Sequence, residues 1–312
     1  MLLISAIREF TSFCATEKGL SNKTINAYRT DLNQFLSFTH TFDAELHVHN
    51  LDKEIILSYL SSISDIYKPQ SITRKYASIR ALFNYIEYED IISHNPIRKI
   101  RFQVRKPRTL PRDIPSHEVH KLLTHLYDRL HSHTPPSSAY YNYIRDICAI
   151  ELLYSTGIRV SELSHARRAD IDLQQGFIRV LGKGQRERVI PICCAQVVDI
   201  LQIYDSHAAS ACNDRTWFLL NRSGRRLSEQ SIRNIVSKHC RSAGIDQHVT
   251  PHMFRHACAT QLLRNGMDIR GIQAVLGHSS ITTTQIYTHF CPLTQRQSIE
   301  LCHPRRAIPA HL

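Results

Sequence analysis

The chain has 312 residues, 42% of them apolar, and carries a formal net charge of +12 with a pI near 9.4. That length favours two domains with ordinary globular cores, and no stretch approaches the ~18 consecutive apolar residues that a membrane span needs. The basic balance, concentrated beyond Arg108, favours a polyanionic partner, with nucleic acid first among candidates and no membrane partner expected.

The start, MLLISAIREF, meets Arg8 and Glu9 too soon for a signal peptide, so a cytoplasmic protein is expected. Residues 1–105 read as a helical bundle. Leu3, Ile7 and Phe10 form a first stripe. Ser21 or Asn22 can cap a second helix striped by Ile25, Tyr28, Leu32, Phe35 and Leu36. A third runs from Leu51 to Leu60, opening at Asp52. Ser71 can cap a fourth, with Ile72, Tyr76, Ile79, Leu82, Phe83 and Ile86 at helical spacing. The aromatics Tyr28, Phe35 and Phe83 fit core packing better than base stacking. Ser21 to Thr24 and Ser71, Thr73, Arg74 and Lys75 sit at helix starts, where they suit phosphate contacts as well as they suit plain capping.

A basic stretch, Ile97 to Pro115, follows, and its Pro107, Pro111 and Pro115 forbid a long helix. Residues 106–115 are taken as an extended linker between the first domain and a second at 116–312. The second domain opens with a helix striped by Val119, Leu122, Leu123, Leu126 and Leu130. His131–Tyr141 reads as a loop by its Pro-Pro and Ser-Ser pairs. Ile144–Ser155 is a buried helix stopped by Gly157, and Arg159 opens the next, to Ala166. Phe177–Leu181 and Arg188–Ile192 have strand character around the glycine turn Gly182–Gly184, predicting a hairpin. Ser228 can cap a helix with Ile232, Ile235, Val236 and Cys240, stopped by Gly244. Thr250 can cap another whose first residue is Pro251 and which Gly266 stops; Asp268 can cap Ile269–Leu276, ended by Gly277. Ser280 can cap a short helix carrying Tyr287, and Pro292–Leu301 can form one more. The fold class expected is mainly α with a small antiparallel β-sheet. The nine scattered cysteines show no C-x-x-C and are expected to be reduced, mostly as small core residues.

The stretch Thr250–Phe290 gathers most of the reactive side chains. His252 and Arg255 share one helix face, His278 follows Gly277, and Tyr287 comes nine residues later. Two arginines present planar forks that fit phosphate oxygens and stay charged at any working pH, which makes Arg159 and Arg255 candidates for holding a phosphodiester. Glu162, three residues beyond Arg159, can hold it by an i,i+3 pair. Lys183 at a glycine turn is either a proton donor or a solvated hairpin lysine; its residue type alone leaves both open. Tyr287 is a nucleophile candidate that would need activation, since a free phenol has a pKa of about 10. His252 and His256 stand at a metal-ligand spacing, but Met253 breaks the H-E-x-x-H pattern, no carboxylate completes a site, and Cys258 is a poor third ligand. Asp170 and Asp172 have no acidic partner for a metal nuclease. No metal and no cofactor are expected.

These motifs, in this order, resemble the tyrosine recombinase (phage integrase) family, most closely its XerC/XerD-like branch: Ser155-Thr156-Gly157-Ile158-Arg159-Val160-Ser161-Glu162-Leu163, Gly182-Lys183-Gly184-Gln185-Arg186-Glu187-Arg188, His252-x-x-Arg255, Leu276-Gly277-His278 and Tyr287-Thr288-His289. The resemblance implies a SAM-like N-terminal DNA-binding bundle followed by the recombinase catalytic domain. It implies site-specific recombination through a 3′-phosphotyrosine intermediate, serving integration and excision or chromosome-dimer resolution. Tyr287 falls on the family's nucleophile, with Arg159, Lys183, His252, Arg255 and His278 completing the catalytic set. Arg186 stands where many relatives have lysine, which leaves Lys183 as the lysine of that turn. The resemblance implies double-stranded DNA as partner and a homo- or hetero-tetramer, four protomers acting on two duplexes. Leu293–His303 would be the C-terminal segment that docks on a neighbour. A type IB-like topoisomerase and a non-catalytic DNA-binding relative are the alternatives.

Overall fold

A computed structural model describes residues 1–43, 45–103, 114–132, 137–182, 187–211, 216–277 and 299–307. The chain divides into two units, Met1–Leu110 and Pro111–Leu312. No helix among the described residues is long and apolar enough to cross a membrane.

The first unit is built from α1 (Leu3–Thr16), α2 (Asn22–Thr39), α3 (Lys53–Ser62) and α4 (Pro69–Tyr88). Two of the expected caps are made: the Thr24 amide donates to Ser21 Oγ at 3.3 Å, and the Ile55 amide to Asp52 Oδ1 at 2.8 Å. Helix α4 starts earlier than predicted, because Pro69 is pre-shaped for the first helical position and Lys68 becomes the cap residue. Ser71 is therefore inside the first turn. Phe10, Leu32, Phe35, Ile79, Leu82 and Phe83 fill the core, and Tyr28 packs its ring 5.4 Å from that of Phe10. These aromatics pack. Lys75 departs from the expectation of a phosphate contact. It lies in the apolar stripe of α4, is only 2% exposed, and donates to Asp31 Oδ1 at 3.4 Å and to Gln34.

The second unit wraps around α6 (Ser138–Thr156), whose residues Tyr143–Thr156 are all buried. Around it pack α5 (Ser116–Leu130), α7 (Val160–Ser164), α8 (Ala195–Ala211), α9 (Glu229–Ser242) and α10 (Pro251–Arg264); α11 (Ile269–Leu276) follows α10. Of the loop expected at His131–Tyr141, residues 133–136 lie outside the described residues. Ser138–Tyr141 are already the first turn of α6, with the Tyr140 amide donating to Ser137 Oγ. The predicted hairpin is present as β2 (Phe177–Leu181) and β3 (Glu187–Pro191), with Ile178 opposite Ile190 and Val180 opposite Arg188. A short strand, β1 (Ile171–Asp172), adds a third antiparallel member.

The segment 299–307 is packed on its own domain. His303 donates from Nε2 to the Ser155 carbonyl at 2.9 Å, and Arg305 pairs with Glu151 at 3.1 Å, both side chains fully buried. Of the segment expected to reach a neighbour, Ile299, Cys302 and His303 are buried against their own chain, whereas Leu301 is 72% exposed; residues 293–298 lie outside the described residues. Cys14, Cys148, Cys240, Cys258 and Cys302 are free and buried, as small core residues should be.

Candidate active site

Two glycines prepare the site. Gly157 ends α6 and Gly277 ends α11, both left-handed with φ of +60° and +64°. This conformation costs a residue with a Cβ roughly 1 kcal/mol. At Gly157 space forbids it as well, since a Cβ would lie 2.5 Å from Leu276 Cδ2. The two helix ends therefore meet closely, with their last carbonyls unpaired within their own helices and carrying the negative end of each helix dipole.

Three consecutive carbonyls at the end of α11 are each taken by a different arginine. Arg188 Nε donates to Val275 O at 2.9 Å, Arg255 Nη2 to Leu276 O, and Arg159 Nη2 to Gly277 O at 2.7 Å. Arg255 also donates from Nη1 to Gly157 O at 2.7 Å, so it ties the end of α6 to the end of α11. Arg255 comes from α10, Arg159 caps the start of α7, and Arg188 is on β3.

One carboxylate organises two of them. Glu162 accepts Arg159 Nη1 at 2.8 Å and the Arg159 backbone amide at 2.9 Å. It also accepts Arg188 through both oxygens, at 2.9 and 2.7 Å. Burial alone would raise the Glu162 carboxyl, but the bonds from Arg188 and Arg159 hold it below the ordinary carboxylate range. Arg255 is 3% exposed, and burial, with the charges of Arg159 and Arg188 adding to it, brings its pKa down to about 10. Three guanidiniums and one carboxylate leave an excess positive charge in a low-dielectric setting. Each guanidinium carries five N–H donors, and these bonds use two on Arg159 and two on Arg255, so both retain donors for an anion.

The structure brings the candidates Arg159 and Arg255 together on adjacent carbonyls at the end of α11. The structure puts His252 exposed on the first turn of α10, one turn before Arg255. Lys183, His278 and Tyr287 lie outside the described residues. Gly182 and Glu187 are the described residues on either side of 183–186, and Gly277 immediately precedes His278, whereas both chain neighbours of Tyr287 also lie outside the described residues. Thr250 is the α10 cap residue but makes no side-chain capping bond. The residue that sequence reading missed is Arg188. Its signal was present, since Arg188 and Ile190 are two apart in a strand and must face the same side. Among the described residues no group of three or more His, Cys, Asp or Glu is placed to hold a metal. Cys258 is fully buried beside Gly157, and burial pushes its thiol up to about 12.

With this geometry in place, comparison with known proteins is specific. Residues 112–292 match the Phage integrase family, and residues 4–90 match the Phage integrase, N-terminal SAM-like domain. A tyrosine recombinase of Agathobacter rectalis is 40% identical over 301 residues, covering 96% of each chain. Tyrosine recombinase XerD of Listeria innocua is 35% identical over 306 residues, 96% of this chain and 98% of that one. Among solved structures, a lambda integrase tetramer bound to a Holliday junction superposes with a TM-score of 0.67 at 18% identity, over 91% of this chain and 76% of that one.

Proposed function

This chain belongs to the tyrosine recombinase (phage integrase) family and is a site-specific DNA recombinase of the XerC/XerD-like kind; on that premise we propose how its residues divide the work. Tyr287 attacks the scissile phosphorus, its phenolic oxygen forms the new O–P bond, and the bond to the 5′ oxygen breaks. The product is a 3′-phosphotyrosine that conserves the energy of the phosphodiester, so rejoining needs no nucleotide cofactor. Arg159 and Arg255 bind the two non-bridging oxygens and offset the charge that grows there in the transition state. Lys183 gives its proton to the departing 5′ oxygen. His252 and His278 supply the remaining hydrogen bonds and the uptake of the tyrosyl proton.

The observation that supports this reading is the end of α11. There, Arg159 and Arg255 hold adjacent carbonyls immediately before His278. Any anion bound by their remaining donors lies beside the segment that leads to Tyr287. The same donor set suits a phosphate without a metal ion.

The units read as residues 1–105 clamping DNA and 116–312 cutting it, with 106–115 as the strap between. Four protomers are proposed to act on two duplexes, a reading supported by the lambda integrase tetramer bound to a Holliday junction. The contact to a neighbour is assigned to Leu293–His303, in which Leu301 is exposed, with His303 and Arg305 anchoring its far end at home.

The test is a nicked suicide substrate resolved on a denaturing gel. Wild-type protein is expected to give a covalent protein–DNA band. Tyr287→Phe, which loses only a hydroxyl, is expected to bind the same DNA and give none. A covalent band from that variant removes Tyr287 from its role; no band from either protein points to the non-catalytic alternative.

A further inference from the structure

We propose that Arg188 is a positioning residue whose work is to neutralise Glu162, so that the charge of Arg159 stays available to the scissile phosphate. The proposal rests on the assignment of Arg159 as a phosphate ligand. Strand β3 alternates, and its inward positions are Arg188 and Ile190, the latter 1% exposed. A cation in such a slot is costly unless each of its nitrogens is hydrogen-bonded and its charge is balanced. Arg188 is 11% exposed at its side chain and meets both conditions, with Nη1 and Nη2 on the two Glu162 oxygens and Nε on Val275 O.

Glu162 faces two arginines. Arg188 is the buried, bidentate one, and Arg159 is 37% exposed at its side chain with one side-chain bond to the carboxylate. The fork-to-fork pair of Glu162 and Arg188 is neutral as a unit. Arg159 leans on that pair for direction without surrendering its charge to it. Remove Arg188, and a buried carboxylate has Arg159 as its remaining guanidinium partner. The guanidinium is then drawn inward, and its field at a bound phosphate is cancelled by the anion behind it.

Position adds a second consequence. Arg188 leaves the hairpin that carries Lys183 and reaches α7, which carries Glu162, and the α11 end that precedes His278. Gly277 makes room for it: a Cβ there would sit 3.1 Å from Arg188 Nη1. One side chain thus fixes the register between three catalytic segments.

The experiment measures single-turnover covalent capture on the nicked suicide substrate at saturating DNA, alongside DNA affinity and melting temperature. Wild type is the control for the assignment itself: no covalent band from wild type means that the assignment fails, whatever Arg188 does. Given that band, Arg188→Met is expected to cut about 10²-fold more slowly, the usual consequence of a misplaced catalytic group, with DNA affinity changed less than threefold. Glu162→Gln in the same chain removes the stranded anion, and the double variant is expected to recover about tenfold, since neutralising both halves of a buried pair costs far less than breaking it. Arg188→Lys, which keeps the charge but not the fork, is expected to fall between wild type and Arg188→Met. The proposal is overturned if Arg188→Met cuts at the wild-type rate, or if the folded double variant is no faster than Arg188→Met.

Discussion

Each unit contains a buried carboxylate held by two cations, and the pairs have the same design. In the first unit Asp31 is fully buried between Lys75, 2% exposed, and Arg74, 48% exposed, with Ser78 Oγ donating to it at 2.9 Å. In the second, Glu162 lies between the mostly buried Arg188 and the partly exposed Arg159. One cation in each pair is inside beside the carboxylate; the other is partly exposed, which leaves it within reach of the ligand proposed for it. The Glu151–Arg305 pair is the contrast. It is sealed on both sides, and among the described residues no second cation pairs with Glu151. The difference is one of stoichiometry: a carboxylate with two cations orients a charge, whereas a carboxylate with one cation fastens a segment.

Removing the inner cation of the first unit should have the largest effect. Lys75→Met leaves Asp31 buried with Arg74 as its remaining cation. Losing one partner of a buried pair typically costs about 3–5 kcal/mol, so the first unit should melt well below wild type in a calorimetric scan. Wild-type melting would mean that Lys75 is not the balancing charge.

The sealed tail sharpens the contrast through pH. His303 donates from Nε2 to Ser155 O and accepts the Arg305 amide at Nδ1, an arrangement that requires the neutral ring. Burial takes its pKa down to about 4. An unfolded chain protonates this histidine near 6.5, so between pH 6.5 and 4 the unfolded state binds the extra proton and folded stability falls as pH falls. That contribution is of the order of 3 kcal/mol across the window. Urea titrations should show His303→Gln losing less stability than wild type over the same range, and parallel losses would refute the sealed-tail account.

The smallest effect belongs to the outer cation of the first unit. Arg74→Ala should leave melting nearly unchanged. It should weaken DNA binding several-fold and lower the salt-dependence slope by about 1, the mark of one lost phosphate contact. An unchanged slope would make Arg74 a structural residue like its neighbour.

Local signals carried much of this architecture. Ser21, Asp52, Ser228 and Asp268 all accept the capping bonds that their positions implied. Gly157 and Gly277 end their helices in the left-handed conformation for which glycine is suited. The i,i+3 pair of Arg159 and Glu162 formed as its spacing allowed. Other features depend on distant partners. Lys75 sits in register with Ile72 and Ile79, which announces a buried lysine, but nothing local says that Asp31 awaits it 44 residues away. Arg305 meets Glu151 across 154 residues, and Arg188 meets Val275 across 87. Helix α8 went unread for a different reason. It has a stripe in Val197, Ile200, Leu201 and Tyr204, yet Cys193-Cys194 stand ahead of it where a Ser, Thr, Asp or Asn would have marked a start.

The division between arginines that hold charge and a lysine that moves a proton is tested most directly with a 5′-bridging phosphorothiolate at the cut site. A thiolate leaves without the proton that an alkoxide needs. Lys183→Ala should be slow on ordinary DNA and largely restored on the sulfur substrate. Arg159→Ala and Arg255→Ala should remain about 10²–10³ slower on both, because the charge they offset is on the non-bridging oxygens, which sulfur does not alter. Equal slowing of Lys183→Ala on the two substrates, or rescue of an arginine variant by sulfur, would contradict the account.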